Sequence, residues 1–309
     1  MDKNLSNLWG IVLAGGEGTR LQNLVRRIYG YDRPKQYCTF VGTRSLLRHT
    51  IDRAAMLIPH KRILAVVNRS HSEYVLEELG VNPSIEIMEQ PAPRETGAGI
   101  LLPMLKVNNN DPNSTIALFP SDHFILDEQR FMDYVKKAAE FVNNNPDAIV
   151  MLGVHSGSVE SGYGWIEPDQ KINSQSGMNV FSVKRFWEKP SSNVTRYLVN
   201  KGCMINTFVL IGKSSAFLYY MAKNMPELYS AFGPIKSRLG TPLEKIMITR
   251  TYKYLPMLNF SRSVLENICR HLVVMEMNDV YWSDWGEEYR LNHDVEIINA
   301  AVEETAFAF

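Results

Sequence analysis

Short apolar runs rich in β-branched residues recur along the first half of the chain, and between them apolar residues fall three or four positions apart. That is the pattern of parallel strands covered on both faces by helices. It predicts strands at about Trp9 to Ala14, Arg62 to Val67, Ile85 to Glu89, Thr115 to Phe119 and Ala148 to Val154. The helical stripes between them are Leu46, Leu47, Ile51, Ala54 and Leu57; Tyr74, Val75 and Leu79; Ile100, Leu101, Met104 and Leu105; and Phe131, Val135, Ala138 and Phe141. After Val154 the rhythm changes to glycine-rich turns and alternation, so 162–168 and 180–186 are expected to pair antiparallel. The run 205–211 would return to the sheet, helices are predicted at 214–225, 242–254 and 263–272, and residues 273–282 lead to a helix near 287–302. The expected fold class is α/β, a Rossmann-like, mostly parallel sheet flanked by helices and carrying an antiparallel excursion. No repeat or Pro-rich linker divides the chain, so one domain is expected over 1–309, with halves meeting near residue 154.

Composition narrows the partners. At 309 residues and 45% hydrophobic, the chain can bury a sizeable core. Thirty-three basic residues balance thirty-three acidic ones, so no global field would hold nucleic acid or an anionic membrane, and any anionic ligand needs a local cluster. Three cysteines without a Cys-x-x-Cys pair fit neither a disulfide framework nor a zinc site and suit a reducing, cytoplasmic setting. The Trp9 to Ala14 run is too short for a membrane span and lacks a signal-peptide layout. The histidines show no helical His-x-x-x-His pair.

Ligands of open parallel sheets sit outside the carboxyl ends of the strands, so residues directly after each strand carry the most information. The first strand ends in Leu13-Ala14 and runs into Gly15-Gly16-Glu17-Gly18-Thr19-Arg20. Glycines let backbone N–H groups curl around an anion and an arginine supplies a charged fork, although a tight strand-to-helix turn would read the same way. The segment matches neither the dinucleotide fingerprint nor the P-loop. A later strand ends in Pro120-Ser121-Asp122-His123, where Asp122 is either a helix cap or one of the carboxylates that Mg2+ needs. Asp284, in Trp282-Ser283-Asp284-Trp285-Gly286, is a second such carboxylate. The loop from Gln90 through Pro91, Pro93, Arg94, Thr96 and Gly97 is stiffened by proline and carries an amide able to pair with a base edge. Lys35 and Lys189 stand beside prolines, where the ordinary reading is a solvated charge.

In order, these segments resemble the sugar-phosphate nucleotidyltransferases, most closely the mannose-1-phosphate guanylyltransferase branch. The glycine-rich signature from Leu13 to Leu21, Pro34-Lys35-Gln36-Tyr37, Gln90-Pro91 with Arg94 and Thr96, and Pro120 to His123 are followed by Tyr163-Gly164-Trp165-Ile166-Glu167, Glu188-Lys189-Pro190 and Trp282 to Gly286. Gln36 and the Gln-Pro-x-x-Arg-x-Thr form resemble the mannose/guanine branch. The resemblance implies transfer of a nucleotidyl group from a nucleoside triphosphate, GTP favoured, to a sugar 1-phosphate, mannose 1-phosphate favoured, with release of pyrophosphate. Another sugar or base, or a non-catalytic nucleotide-sugar sensor, stands as the alternative.

By the resemblance, Leu13, Ala14, Gly15, Gly16, Gly18, Thr19, Arg20, Gln90, Arg94, Thr96, Gly97, Ser121 and Asp122 would meet the nucleotide. Tyr163, Gly164, Glu188, Lys189 and Asn206 would meet the sugar phosphate. Asp122 and Asp284 would hold Mg2+, with Arg20 and Lys35 catalytic. The half before about residue 154 would bind nucleotide and the other half the sugar phosphate, and association with like chains stays open. The chain departs from the family pattern in extra residues including Tyr29-Gly30-Tyr31, in Thr96-Gly97-Ala98-Gly99 for Thr-Ala-Pro-Ala, and in Asn206-Thr207-Phe208 for Asn-Ser-Gly. Its Ser263-Val264-Leu265-Glu266 stands for Ser-Ile-Asp-Tyr, displacing the acid by one position.

Overall fold

The computed structural model describes residues 5–173 and 177–306, with side chains through residue 298. Its strands are β1 (Leu8–Ala14), β2 (Ile63–Asn68), β3 (Glu86–Gln90), β4 (Thr115–Pro120), β5 (Phe124–Ile125), β6 (Ile149–His155), β7 (Gly164–Lys171), β8 (Val180–Glu188), β9 (Met204–Lys213), β10 (Leu272–Glu276) and β11 (Trp282–Ser283). Nine of these form one sheet in the order β3-β2-β1-β4-β9-β6-β10-β8-β7, and β11 pairs with β5 in a separate ribbon. The strands β1 to β4 run parallel, as does β6 with β10.

The first five predicted strands are found within a residue or two of their expected ends, and a helix carries each of the four apolar stripes between them. Their period-two burial explains why. Along β4, Ala117 and Phe119 face the layer built on helices Leu46–Ala55 and Glu128–Asn144, whereas Ile116 and Leu118 face the layer of Glu95–Asn110 and Ser214–Asn224. Both faces of these strands are therefore apolar, which is what forces helices onto each side.

The return strand β9 is antiparallel to both its neighbours, β4 and β6. It also changes partner along its length. Ile205 and Met204 pair with Trp165 and Ile166 of β7, whereas Leu210 to Lys213 pair with β4. The sheet thus forks at Asn206 to Val209, where Phe208 lines a crevice.

Two expectations need correction. Residues 263–272 do not form a helix: a single turn at Phe260–Ser263 gives way to 3-10 turns at Leu265–Asn267 and Cys269–His271, and Leu272 already begins β10. Phe260, Val264, Leu265 and Ile268 all enter the core, and Glu266 reaches across to accept from the Glu188 N–H at 2.9 Å, contacts that override the helical spacing. The helix expected over 242–254 is trimmed to Glu244–Tyr252.

Of the extra residues, Tyr29 ends the helix Gln22–Tyr29, which Gly30 closes at φ 81°, and Tyr31 lies beyond it. Buried Arg33 then ties this segment down: it donates to the Tyr37 carbonyl, to Glu77 and to Glu78, and its guanidinium lies over the rings of Tyr29 and Tyr74. Lys35 follows on the anchored 3-10 turn Lys35–Tyr37.

Candidate active site

A cavity of about 440 Å³ lies at the carboxyl ends of β1 to β4, where the architecture favours a ligand. Leu13, Gly15, Gly16, Gly18, Gln90, Arg94, Thr96, Ser121 and Asp122 line it, as do Asn68, His123, Phe208 and Met257. The loop after β1 is held open by side chains rather than by its own hydrogen bonds. Gln36 Nε2 donates to the carbonyls of Ala14 and Gly16, and Asn68 Nδ2 donates to that of Gly15 at 2.6 Å. Gly18 sits at φ 63°, and a Cβ there would lie 2.8 Å from the Lys35 backbone nitrogen, so only glycine brings the loop this close to Lys35.

The two aspartates, 162 positions apart by numbering (284 − 122), converge through the ribbon. Ser283 pairs with Phe124 in the β5–β11 ladder, which carries Asp284 alongside the Asp122-His123 segment. Trp285 pins the turn: its ring stacks on Phe124 at 4.6 Å, and its indole N–H donates to Asp294. Buried Lys35 links both aspartates, its ammonium 3.2 Å from Asp122 Oδ2 and donating to the Asp284 carbonyl.

The carboxylate of Asp284 is asymmetric. Oδ1 accepts from the Tyr163 hydroxyl at 2.5 Å and the Gly286 N–H at 3.0 Å, with Arg290 at 3.5 Å; Oδ2 meets Arg20 at 3.5 Å. Desolvation opposes ionisation of Asp284, yet Tyr163, His123, Lys35 and Arg290 outweigh it and hold its pKa below the usual carboxylate value. At Asp122, too, desolvation is outweighed, chiefly by Lys35, and the pKa is lowered. Both groups therefore stay anionic at neutral pH. Burial also holds the neighbouring His123 ring below its ordinary pKa.

On the other side of the crevice, Gly164 is opposite Glu188 in the β7–β8 ladder, and a Cβ on it would lie 2.7 Å from Phe186 and 3.3 Å from Glu188 Oε2. Burial raises the Glu188 carboxyl above its usual pKa. Lys189 is exposed, with its N–H on the Tyr163 carbonyl, and Asn206 Oδ1 accepts from the Phe208 N–H at 3.0 Å. Four non-glycine residues among those described have positive φ: Glu95, Lys189, Phe208 and Trp285. All four lie on this cavity or beside residues of the crevice, and such strain concentrates where function over-determines the backbone. Phe208 stands where the family pattern has glycine, at φ 60°.

Some expected residues are committed elsewhere. Arg94 donates to the carbonyls of Tyr252 and Lys253, and Thr96 accepts from the Phe260 N–H, so both build the wall rather than present free groups. Gly97 packs away from the cavity, where a Cβ would lie 2.6 Å from the Leu258 carbonyl oxygen. Ala14 is buried, its carbonyl engaged by Gln36 and Tyr37, and Thr19 is exposed at the start of a 3-10 turn. The Tyr163 hydroxyl is taken up by Asp284 rather than left for a sugar.

Sequence reasoning missed Asn68, His123, Tyr252 and Arg290 as site residues. Asn68 ends β2 and could have been found from the strand-end rule, whereas Arg290 arrives from the helix Glu288–Ala306, which carries no motif. Tyr163→Phe should lower kcat about tenfold, because a charge-assisted hydrogen bond is worth about 1.5–3 kcal/mol. The same bond contributes to folding, so the thermal midpoint should fall by a few degrees, and steady-state kinetics with thermal unfolding checks both.

The Nucleotidyl transferase family profile matches residues 9–292. The chain is 32% identical over 231 residues to the xanthan biosynthesis protein XanB of Xanthomonas campestris pv. campestris, covering 74% of this chain and 46% of that protein. It is 29% identical over 288 residues to a mannose-1-phosphate guanylyltransferase of Salmonella muenchen, covering 91% of this chain and 58% of that protein. The chain thus spans about half the length of these relatives. A crystal structure described as mannose-1-phosphate geranyltransferase from Thermus thermophilus superimposes with a TM-score of 0.76 at 23% identity, covering 91% of this chain and 76% of that one, and so shares the fold.

Proposed function

The chain belongs to the Nucleotidyl transferase family, and from that premise we propose that it transfers a nucleotidyl group from a nucleoside triphosphate, GTP first, to a sugar 1-phosphate, mannose 1-phosphate first. A sugar-phosphate oxygen attacks the α-phosphorus, the α–β phosphoanhydride bond breaks, and pyrophosphate leaves. The observation that carries this reading is the convergence of Asp122, Asp284 and the Lys35 ammonium beside a glycine-lined cavity. The attacking phosphate is already a competent nucleophile, so catalysis reduces to alignment and charge neutralisation. Lys35 and Arg20 supply the fixed positive charge, the loop over Gly15 to Gly18 offers backbone donors, and Glu188, Lys189 and Asn206 face the sugar phosphate.

The donor set fits Mg2+. Asp122 Oδ2 and the Asp284 main-chain carbonyl meet at the Lys35 ammonium, and Asp284 turns Oδ1 to Tyr163 and Gly286 while Oδ2 faces Arg20 at 3.5 Å. Among the described residues no cluster of three or more His, Cys, Asp or Glu side chains could hold a metal; Mg2+ on one or two carboxylates takes its other ligands from substrate phosphates and water. Bound there by Asp122 and Asp284, it would supply charge neutralisation to the phosphates.

Among the described residues no helix is long and apolar enough to cross a membrane. The purified chain, given Mg2+, GTP and mannose 1-phosphate, should release pyrophosphate faster than with ATP, UTP or glucose 1-phosphate. Faster release with another pair would replace the assignment of base and sugar. Nucleotide-sugar binding with no pyrophosphate from any pair would replace catalysis with sensing.

A further inference from the structure

Asn68 ends β2 directly opposite Gln90, the last residue of β3, and both side chains are almost wholly buried, at 1% and 6% exposure. Their amide orientations are set by their partners. Asn68 Nδ2 donates to the Gly15 carbonyl and to Glu17 Oε1, two acceptors that a flipped amide would face with an oxygen. Its Oδ1 is consequently turned the other way, and it is buried without a hydrogen-bond partner. Gln90 Oε1 accepts from the Tyr252 hydroxyl at 3.1 Å. Burial keeps that phenol protonated, and it makes no other hydrogen bond among the described residues, so a flipped Gln90 would strand its proton. The Gln90 NH2 group therefore points away from Tyr252.

The two free atoms lie together. A Cβ on Gly15 would be 3.0 Å from Gln90 Nε2 and 3.4 Å from Asn68 Oδ1, and all three residues line the cavity. A donor thus stands beside an unsatisfied acceptor on the wall nearest the glycine loop.

We propose that Asn68 and Gln90 together read the base, Gln90 Nε2 donating to a ring carbonyl and Asn68 Oδ1 accepting from the adjacent ring N–H. This lactam edge is shared by guanine and hypoxanthine. Adenine presents the reverse order, an amino donor beside a ring-nitrogen acceptor, and would set donor against donor and acceptor against acceptor. Asn68 is thereby a specificity-determining residue, and its tie to Gly15 couples base selection to the loop that meets the triphosphate. The inference rests on the reading of the cavity as a nucleotide site.

ITP and ATP differ only at this edge, so their dissociation constants, measured by calorimetry on the full chain without sugar phosphate, give the test. The unmodified protein should bind ITP at least about 100-fold more tightly than ATP, because a site built around buried polar groups rejects a ligand that leaves them unpaired. Asn68→Ala should shrink that ratio to under about tenfold. Asn68→Asp keeps an acceptor while losing the tie to Gly15, so both ligands should weaken and the ratio should survive; a purely structural role would weaken both ligands equally in both variants. Gln90→Glu, which retains an acceptor for Tyr252, should abolish the ITP preference and serves if an Asn68 variant fails to fold. Equal binding of ITP and ATP, or a full ratio in Asn68→Ala, would overturn the assignment while leaving the nucleotide site intact. Binding of neither nucleotide would overturn the nucleotide site and the inference with it.

Discussion

Asp122→Ala and Asp284→Ala are each expected to lower turnover by about a thousandfold or more, the scale on which loss of a preorganised charge acts on a transition state. The buried Lys35 ammonium meets the Asp122 carboxylate and the Asp284 main-chain carbonyl, and both carboxylates remain ionised despite desolvation, so each deletion removes negative charge from the place where a cation and two polyanions would have to meet. Asp284→Asn separates charge from scaffolding, because the amide oxygen can still accept from Tyr163 and Gly286. That variant should keep the thermal midpoint of the unmodified protein and remain as inactive as Asp284→Ala. Pyrophosphate release and thermal unfolding on the same samples decide the matter: near-normal rates in either alanine variant would contradict the assigned roles.

Gly286→Ala should cost about a hundredfold in kcat although no functional group is removed. The added methyl would overlap Asp284 Oδ2 and lie 2.7 Å from Arg20 Nη1, distances no Cβ sustains, so the buried carboxylate, the guanidinium or both must shift. Misplacement of about 1 Å in such a site is enough for a loss of this size. If separation of that pair is the cause, Arg20→Ala combined with Gly286→Ala should be little worse than the more damaging single change, because residues in contact are not additive. Additive losses in the double variant would place the effect elsewhere.

Much of this site was legible because the architecture puts it at strand ends and the chain marks them with unusual residues. Gly15 to Gly18, Gln90 and Asp122 are visible directly after apolar runs, and the cavity gathers them. Asp284 could be flagged only through a motif, since what brings it to Asp122 is a ribbon of two-residue strands too short to leave a hydrophobic period. Arg290 left no signal, because a polar residue early in an amphipathic helix looks like any solvated charge until Tyr163 and Asp284 are placed beside it. The false helix at 263–272 arose in the same way: apolar spacing was present, but burial against the core and the pull of Glu266 toward Glu188 set the backbone. At Tyr163, the residue was found and its hydroxyl's partner was not, which only coordinates could supply.

The forked strand β9 bears on how the molecule comes apart. β6, the last strand of the first half, is flanked by β9 and β10, both from the second half, and β4 borders β9 as well. Neither 1–154 nor 155–309 expressed alone would possess a complete sheet, so mixing two separately purified fragments should not rebuild a working protein. Melting should proceed in one step, with nucleotide raising the midpoint of residues on both sides of the crevice together.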